Sequence, residues 1–442
     1  MPSKRVSLKT VLPLEGLDLL SRTQIASKGS LGALLVVMVT LAVWVSQAPS
    51  SLGNGLSITA KVFAFSAITL LSVNLLLSTR WRMMEDLFGG LDRLYKVHKL
   101  IGKLTLWAIV AHLAALIVRR PSAELVVPGL DASITWGILS LALLTTLVLL
   151  TLVARLPYHI WRRSHKLMGI PLVLALIHAL DAGSDMATHA ALRYWVIAVS
   201  LVGLFSYMYT LFLYRRLGPK HSARVARVKE VNDIVEVDLE VDDCMPFHAG
   251  QFVFVRFDRL DDGEMYPFSI SSGPDERPIR LSIRKVGDFT NRLPELREGD
   301  RAMLIGPYGK FGERFLSHEK DMIWIAGGIG ITPFLSMAKQ ESASPTGRRI
   351  ELIWSHRGEG DIYDHELEAE ARSNGEFTYI HWLSPERGRL DAEKVDELTE
   401  GGLKGRMVFL CGPVPMMRSL AEGFVRMGVR PRDIVFEDFN LL

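Results

Sequence analysis

The stretch His98-Lys99-Leu100-Ile101-Gly102-Lys103-Leu104-Thr105-Leu106-Trp107-Ala108-Ile109-Val110-Ala111-His112 sets two histidines fourteen residues apart in an apolar run. On one helix they stand about 21 Å apart along the axis and about 40° apart around it. A second stretch, His165-Lys166-Leu167-Met168-Gly169-Ile170-Pro171-Leu172-Val173-Leu174-Ala175-Leu176-Ile177-His178, separates its pair by thirteen residues. An ideal helix puts that pair about 20 Å apart but about 140° around. Each pair has one member near either end of its run, so the four rings form two levels inside a hydrocarbon layer of about 30 Å. Two imidazoles at each level fill both axial positions of a haem iron, which favours electron transfer over ligand binding at the metal. A single histidine in a helix is more often a hydrogen-bonded core residue; four at paired depths point to ligands. The angular mismatch requires a distorted second helix, and Pro171, which removes a hydrogen bond from a helix interior, supplies a cause. His159 and His189 lack partners at matching depth and read as interfacial residues.

Apolar runs surround these stretches at about 31–47, 57–78, 94–118, 134–154, 165–180 and 191–213. Most approach the ~20 residues a membrane helix needs. Six spans place both termini on one side. The basic residues Lys4 to Lys28, Arg80 to Lys99, Arg155 to Lys166 and Arg215 to Lys220 fall on alternate ends, which marks those ends and both termini as cytoplasmic. The opposite connections are neutral (Gln47 to Gly55) or acidic (Asp181 to Asp185), with Arg119-Arg120 as the exception. The first apolar run starts near Leu31 and lacks a small-residue cleavage site after it, so it reads as a retained helix. A multi-pass protein of the cell inner (plasma) membrane is expected, with the lipid bilayer as its surroundings.

The rest of the chain alternates charged and apolar residues as soluble α/β domains do. Across 442 residues a formal charge of +3 gives no nucleic-acid surface. Cys244 and Cys411 are the only cysteines, which argues against a disulfide framework or a cysteine-ligated zinc. Short strands are expected at Ala223 to Val228, Ile234 to Leu239, Gln251 to Phe257, Ile279 to Val286 and Arg301 to Ile305, the pattern of a small antiparallel barrel. Tyr266-Pro267-Phe268-Ser269 follows one strand, and Arg284-Lys285-Val286-Gly287-Asp288-Phe289-Thr290 spans the end of a later one. Beyond them, the apolar strand Asp321 to Ala326 runs into Gly327-Gly328-Ile329-Gly330-Ile331-Thr332-Pro333 and a helix, a turn whose backbone N–H groups can approach a pyrophosphate. A second strand ends in Ser355-His356-Arg357 with no acidic residue, which favours NADPH over NADH. The last ends in Cys411-Gly412-Pro413.

The histidine spacing within six spans resembles the ferric reductase and NADPH oxidase superfamily over roughly 30–216. The motifs of 221–442 look like the FAD and nucleotide domains of the ferredoxin–NADP reductase superfamily. The resemblance implies that His98 and His165 hold an inner haem b and His112 and His178 an outer one. It implies that Tyr266, Pro267, Phe268 and Ser269 lie along the flavin of FAD, with the Ser269 hydroxyl near the reactive N5, and that Arg284, Gly287 and Thr290 hold its pyrophosphate. Many members carry Arg, and the membrane oxidases often His, where this chain has Tyr266, so more of the phosphate binding falls to Arg284. Gly327, Gly328, Gly330, Thr332 and Pro333 would cradle the nicotinamide nucleotide, with Ser355 and Arg357 on a 2′-phosphate. Cys411 and Gly412 would lie by the nicotinamide, and Phe439 would cover the flavin ring.

The expected fold is thus a multidomain membrane protein. It has a cytoplasmic segment (1–29), a six-helix transmembrane haem bundle (30–216), an antiparallel β-barrel FAD domain (221–318) and an α/β Rossmann-like NAD(P) domain (319–442). The expected function passes electrons from cytosolic NAD(P)H through FAD and two haems to an extracytoplasmic acceptor, a ferric or other metal chelate. Superoxide production from O₂ is the alternative; in animal oxidases a further histidine lies one turn after the outer ligand, where this chain has Leu116. A periplasmic redox protein or quinone is a third acceptor. A haem-free membrane-anchored flavin reductase and a haem-binding sensor are readings of another class.

Overall fold

The computed structural model describes residues 27–47, 55–119, 132–152, 156, 158–181, 185–260, 264–358 and 361–437. The chain divides into two compact units, one made of residues up to Gly89 with Arg93–Leu217, the other of Gly90–Asp92 with Gly218–Leu442.

The first unit is helical. Its main elements are α1 (Lys28–Gln47), α2 (Gly55–Leu76), α3 (Leu91–Arg119), α4 (Ala132–Leu152), α5 (Tyr158–His165), α6 (Gly169–Asp181) and α7 (Ala190–Met208). Among the described residues, five helices are long and apolar enough to cross a membrane: α1, α2 with its 3₁₀ extension to Thr79, α3, α4, and α7 with the π turn Tyr209–Leu213. The run expected as one helix over 165–180 is instead α5 and α6, separated at Lys166–Met168. Tight turns bridge the break, with the Leu167 N–H bonded to Ser164 O and the Met168 N–H to His165 O. Pro171 then falls in the first turn of α6, where the missing N–H has no intrahelical partner to lose. The expected distortion is present, but upstream of the proline. At 13 residues α6 is about 20 Å long, short of a full crossing.

Large apolar side chains such as Leu31, Val118, Tyr194, Phe205 and Phe212 are exposed along these helices, as expected of surfaces facing lipid. Trp44, Phe65, Leu71, Leu144, Leu172 and Val196 pack inside. A Cβ on Gly203 of α7 would lie 2.8 Å from Ser72 Cα of α2, so this crossing depends on glycine.

The second unit starts with a six-stranded antiparallel sheet in the order β4-β3-β6-β1-β2-β5. Its strands are β1 (Lys220–Val231), β2 (Ile234–Val241), β3 (Phe252–Phe257), β4 (Tyr266–Ser269), β5 (Ile279–Arg284) and β6 (Arg301–Tyr308). Register shifts at Val225/Arg227 and Phe252/Phe254 bend the sheet, and the single bridge Ile270–Leu281 brings its edges together. The result is a curled half-barrel rather than the expected closed barrel. Pro267 cannot donate a ladder hydrogen bond, which suits β4 to an edge.

A parallel sheet follows in the order β11-β10-β7-β8-β9, made of β7 (Met322–Gly327), β8 (Ile350–His356), β9 (Phe377–Leu383), β10 (Met407–Cys411) and β11 (Ile434–Glu437). Helices α8 (Thr332–Ala343), α9 (Asp361–Ser373) and α10 (Val414–Arg426) belong to the connections between strands. Every residue of β7, β8 and β10 is buried, as expected of strands covered on both faces. The strand order reverses between β7 and β10, the crevice where open α/β sheets bind ligands.

Candidate functional site

In the helical unit the structure brings His98 and His165 together, with ring centroids 6.1 Å apart and planes at 65°. Two imidazoles sharing one iron through nitrogens at about 2 Å put their centroids roughly 6 Å apart, so this pair fits the axial positions of a haem. Each remaining ring nitrogen has its own oxygen. His98 Nδ1 donates to Asn74 O at 3.2 Å and His112 Nδ1 to Ala60 O at 2.8 Å, both carbonyls of α2. Carbonyls cannot donate, so the proton sits on Nδ1 and Nε2 remains for a metal. Ala60 and Asn74 are fourteen residues apart, the spacing of His98 and His112 read in the opposite chain direction.

His165 Nδ1 lies 3.4 Å from Thr151 Oγ1 on α4, and the Trp161 ring stacks on it at 5.1 Å. At the other level a Cβ on Gly137 of α4 would meet the His178 ring at 2.9 Å. Asn74 Oδ1 is a buried oxygen with no hydrogen-bond partner among the described residues. Sequence reasoning identified the four histidines and missed Ala60, Asn74, Gly137 and Thr151. Gly137 and Thr151 carried a faint signal, a glycine and a hydroxyl fourteen residues apart in an apolar helix, whereas Ala60 and Asn74 act through their backbone and carried none.

In the second unit, alternate residues of β4 reach Phe289: the Tyr266 ring stacks on it at 3.9 Å and Phe268 lies at 6.4 Å, nearly parallel. Ser269 is buried where β4 ends. Thr290 Oγ1 accepts from the N–H groups of Val286 at 2.9 Å and Gly287 at 3.0 Å, closing the loop expected to hold a pyrophosphate. Arg284 Nε donates to Asp233 Oδ2 at 2.5 Å, a partner the sequence did not suggest.

Arg284 also lines a cavity of about 800 Å³ with Gly327, Gly328, Ser355, His356, Arg357, Ser384, Pro385, Arg389, Leu390, Pro413, Pro415 and Met416. Five expected residues, Arg284, Gly327, Gly328, Ser355 and Arg357, therefore meet in one place. Gly328 has φ +53, the left-handed region that favours glycine. A Cβ on Gly330 would sit 2.4 Å from Cys411 O, so the glycine turn and the end of β10 pack backbone to backbone. Cys411 itself is buried, as are Thr332 and Pro333 at the start of α8. Phe439 lies outside the described residues. Ser384, Arg389 and Met416 were missed, because they reach the cavity from loops and a helix start distant in sequence.

The family described as "Ferric reductase like transmembrane component" matches residues 63–176, "FAD-binding domain" matches 220–310 and "Oxidoreductase NAD-binding domain" matches 324–422. The chain has the architecture of the ferric reductase and NADPH oxidase superfamily. It is 30% identical over 233 residues to the phenol hydroxylase P5 protein of Acinetobacter pittii, covering 50% of this chain and 65% of that protein. Respiratory burst oxidase homolog protein D of Solanum tuberosum is 23% identical over 52% of this chain and 28% of its own length. Among solved structures, the cytochrome P450 reductase GcoB of Amycolatopsis aligns with a TM-score of 0.45 at 28% identity, over 50% of this chain and 69% of that one. The chain is thus a multi-pass membrane oxidoreductase with FAD- and NAD(P)-binding domains.

Two clusters of charged and polar side chains organise the second unit. Arg280 on β5 donates through Nη2 to both carboxylate oxygens of Glu366 on α9, at 2.8 and 3.1 Å, and Lys339 on α8 reaches the same carboxylate at 2.8 Å. Burial opposes the Glu366 charge, but the hydrogen bonds and charge of Arg280 and Lys339 win and hold its carboxyl below the usual range. On the other side of α9, His356 and His381 meet through their Nε2 atoms at 2.5 Å, and His381 Nδ1 is 3.8 Å from Asp364. His356 Nδ1 accepts from the Gly358 N–H at 3.2 Å, so His356 donates from Nε2 and His381 accepts.

Proposed function

We propose that this protein is a flavocytochrome b that takes electrons from cytosolic NAD(P)H and delivers them across the inner membrane to an extracytoplasmic ferric or other metal chelate. The observation that carries this reading is the approach of the His98 and His165 rings to 6.1 Å with each Nδ1 committed to an oxygen. When bound, FAD supplies the change from a two-electron hydride to single electrons, and two haems b, one held by His98 and His165 and one by His112 and His178, supply the route between the membrane faces.

The chain's own residues bind and orient. Arg284, Gly287 and Thr290 hold the FAD pyrophosphate, while Tyr266, Pro267 and Phe268 flank the flavin and Ser269 presents its hydroxyl to the flavin edge. Gly327, Gly328 and Gly330 admit the nucleotide phosphates to the start of α8, aided by Thr332 and Pro333. Ser355 and Arg357 select NADPH over NADH through the 2′-phosphate, and Arg389, which lines the same cavity, adds a second guanidinium. Cys411 and Gly412 border the nicotinamide, and Phe439 shields the flavin until nicotinamide displaces it. Arg119-Arg120 draws anionic chelates to the outer face.

Superoxide production is the second reading, favoured by the likeness to a respiratory burst oxidase homologue. Leu116, one turn beyond His112, argues against a dedicated oxygen pocket. The visible spectrum of detergent-purified protein before and after anaerobic NADPH tests the proposal, with His112→Leu and His178→Leu alongside. Reduced b-type bands, and haem content near half in each variant, support it. Absence of Soret absorbance refutes it and leaves a haem-free flavin reductase. Ferric chelate added to the reduced protein should reoxidise it anaerobically; reoxidation by O₂ alone, with superoxide released, selects the second reading.

A further inference from the structure

Helix α4 carries no proposed haem ligand, yet it touches one ring at each of the two levels. Thr151 approaches His165 and Gly137 approaches His178, and the two contacts are again fourteen residues apart. We propose that Thr151 and Gly137 are positioning residues for the second ligand of each haem, one residue per haem, so that α4 tunes the two haems independently. This rests on the reading that the four histidines hold two haems.

The proton count at Thr151 gives its role a direction. Its hydroxyl donates to Leu147 O at 2.9 Å, so toward His165 the oxygen has only a lone pair to offer and Nδ1 must be the donor. His165 is thereby held in the tautomer that turns Nε2 toward His98, with Trp161 stacked on its face. A ligand imidazole whose N–H is given to an acceptor is more basic, and so stabilises the ferric state. At 3.4 Å this hydrogen bond is long, and it comes from a side chain rather than the backbone. The hydrogen bonds from Nδ1 of His98 and His112 end on main-chain carbonyls of α2, which substitution leaves in place. Thr151 is therefore where a change of side chain alters a haem potential without altering a ligand.

Gly137 acts by space. An added Cβ would lie 2.9 Å from His178 Cε1 and 3.0 Å from Nδ1, distances that force the ring or α4 to move. The ring faces that helix because nothing larger than hydrogen stands there.

Anaerobic spectroelectrochemical titration of the full chain in detergent, with low-temperature electron paramagnetic resonance, tests this on Thr151→Val, Thr151→Ser and Gly137→Ala. Thr151→Val keeps the side-chain shape and removes the acceptor. One of the two one-electron waves should rise by about a threefold to tenfold change in the ferric:ferrous ratio, up to roughly 59 mV, while the other stays fixed. Thr151→Ser should restore the wild-type wave. Gly137→Ala should shift or abolish the wave that Thr151→Val leaves alone, with the corresponding resonance signal changed and the other haem retained. Waves unchanged by Thr151→Val in a protein that holds two haems would overturn this inference and leave the electron route standing, as would parallel movement of both waves. A wild-type protein without haem would overturn both. Loss of both haems in Gly137→Ala would count against its acting on one level.

Discussion

Glu366→Gln removes the charge that Arg280 and Lys339 share while keeping the shape of the side chain. Arg280 belongs to β5 of the half-barrel, Lys339 and Glu366 to helices of the parallel-sheet domain, so the substitution weakens a clamp inside the second unit. Removing one partner of a fully buried pair costs about 3–5 kcal/mol, whereas exposed pairs contribute about 0–1 kcal/mol. The side chains here are 16%, 15% and 23% exposed for Arg280, Lys339 and Glu366, which places the expected loss near 2 kcal/mol. For a unit of this size that lowers the melting temperature by about 4–8 °C.

The pH dependence follows from the direction of the Glu366 shift. Its carboxyl titrates below the ordinary 4.5 in the folded protein, so the ionised clamp contributes fully above that pH and its contribution is lost as pH falls through the depressed value. The gap between wild type and variant should therefore be widest near neutrality and close on acidification below about 4.5. Tryptophan fluorescence melts of the full chain read it, since Trp324, Trp354 and Trp382 all lie in the parallel-sheet domain. A variant that melts with wild type at pH 7.5, or a gap that survives complete protonation of Glu366, would refute the reasoning.

Arg357→Ala and Arg389→Ala should each raise KM for NADPH by about tenfold and leave KM for NADH within about twofold, because a guanidinium–phosphate bond contributes about 1.5–3 kcal/mol before discounting for exposure; steady-state reduction of an artificial acceptor measures both. Gly330→Ala should destabilise the second unit by at least 1–3 kcal/mol, since the new Cβ meets Cys411 O at 2.4 Å and neither backbone segment can turn away. Protease resistance of residues 322–437 checks it, and wild-type resistance would count against the close packing. Lys61→Met should destabilise the helical unit by about 2–4 kcal/mol, since it leaves Asp185 with Trp44 Nε1 at 2.7 Å but without the ammonium at 2.8 Å. Lys61→Met combined with Asp185→Asn should recover most of the loss in a detergent melt; no recovery would show that Lys61 acts through packing alone.

Much of this architecture was legible because it is written as period and depth. The paired intervals in α3 and across α5 and α6 place four rings at two levels before any coordinate is known, and the glycine turn after β7 declares itself by composition. The angular mismatch between His165 and His178 announced a distorted helix. Its location was less legible: Pro171 drew attention to the middle of the run, whereas the chain breaks at Lys166–Met168 and uses the proline as a helix start. The edge strand β4 was hidden because it is only four residues long and Pro267 lies within it. Asp233 beside Arg284, and Arg389 lining the same cavity as Arg357, had no local signal at all; tertiary contact alone brings them in.

Ligands and their supports therefore differ in how visible they are. A haem ligand must be one of a few residue types, so the proposed ligands His98, His112, His165 and His178 stand out in apolar helices. A support needs only an oxygen or an absence: Ala60 and Asn74 contribute backbone, Thr151 one lone pair, Gly137 nothing beyond hydrogen. None is distinctive by type, but a helix packed along another repeats its contacts at the same axial interval. Fourteen residues is close to four turns, so a ligand pair at that spacing demands a support pair at that spacing on each straight neighbour. Helix α2 meets the demand with Ala60 and Asn74, whereas α4 sets Gly137 and Thr151 fourteen residues apart against a histidine pair thirteen apart across the α5–α6 break. The interval between His98 and His112 thus points to Ala60 and Asn74 on α2, whereas Gly137 and Thr151 emerge only from their contacts with His178 and His165, in a helix whose composition is otherwise uniform.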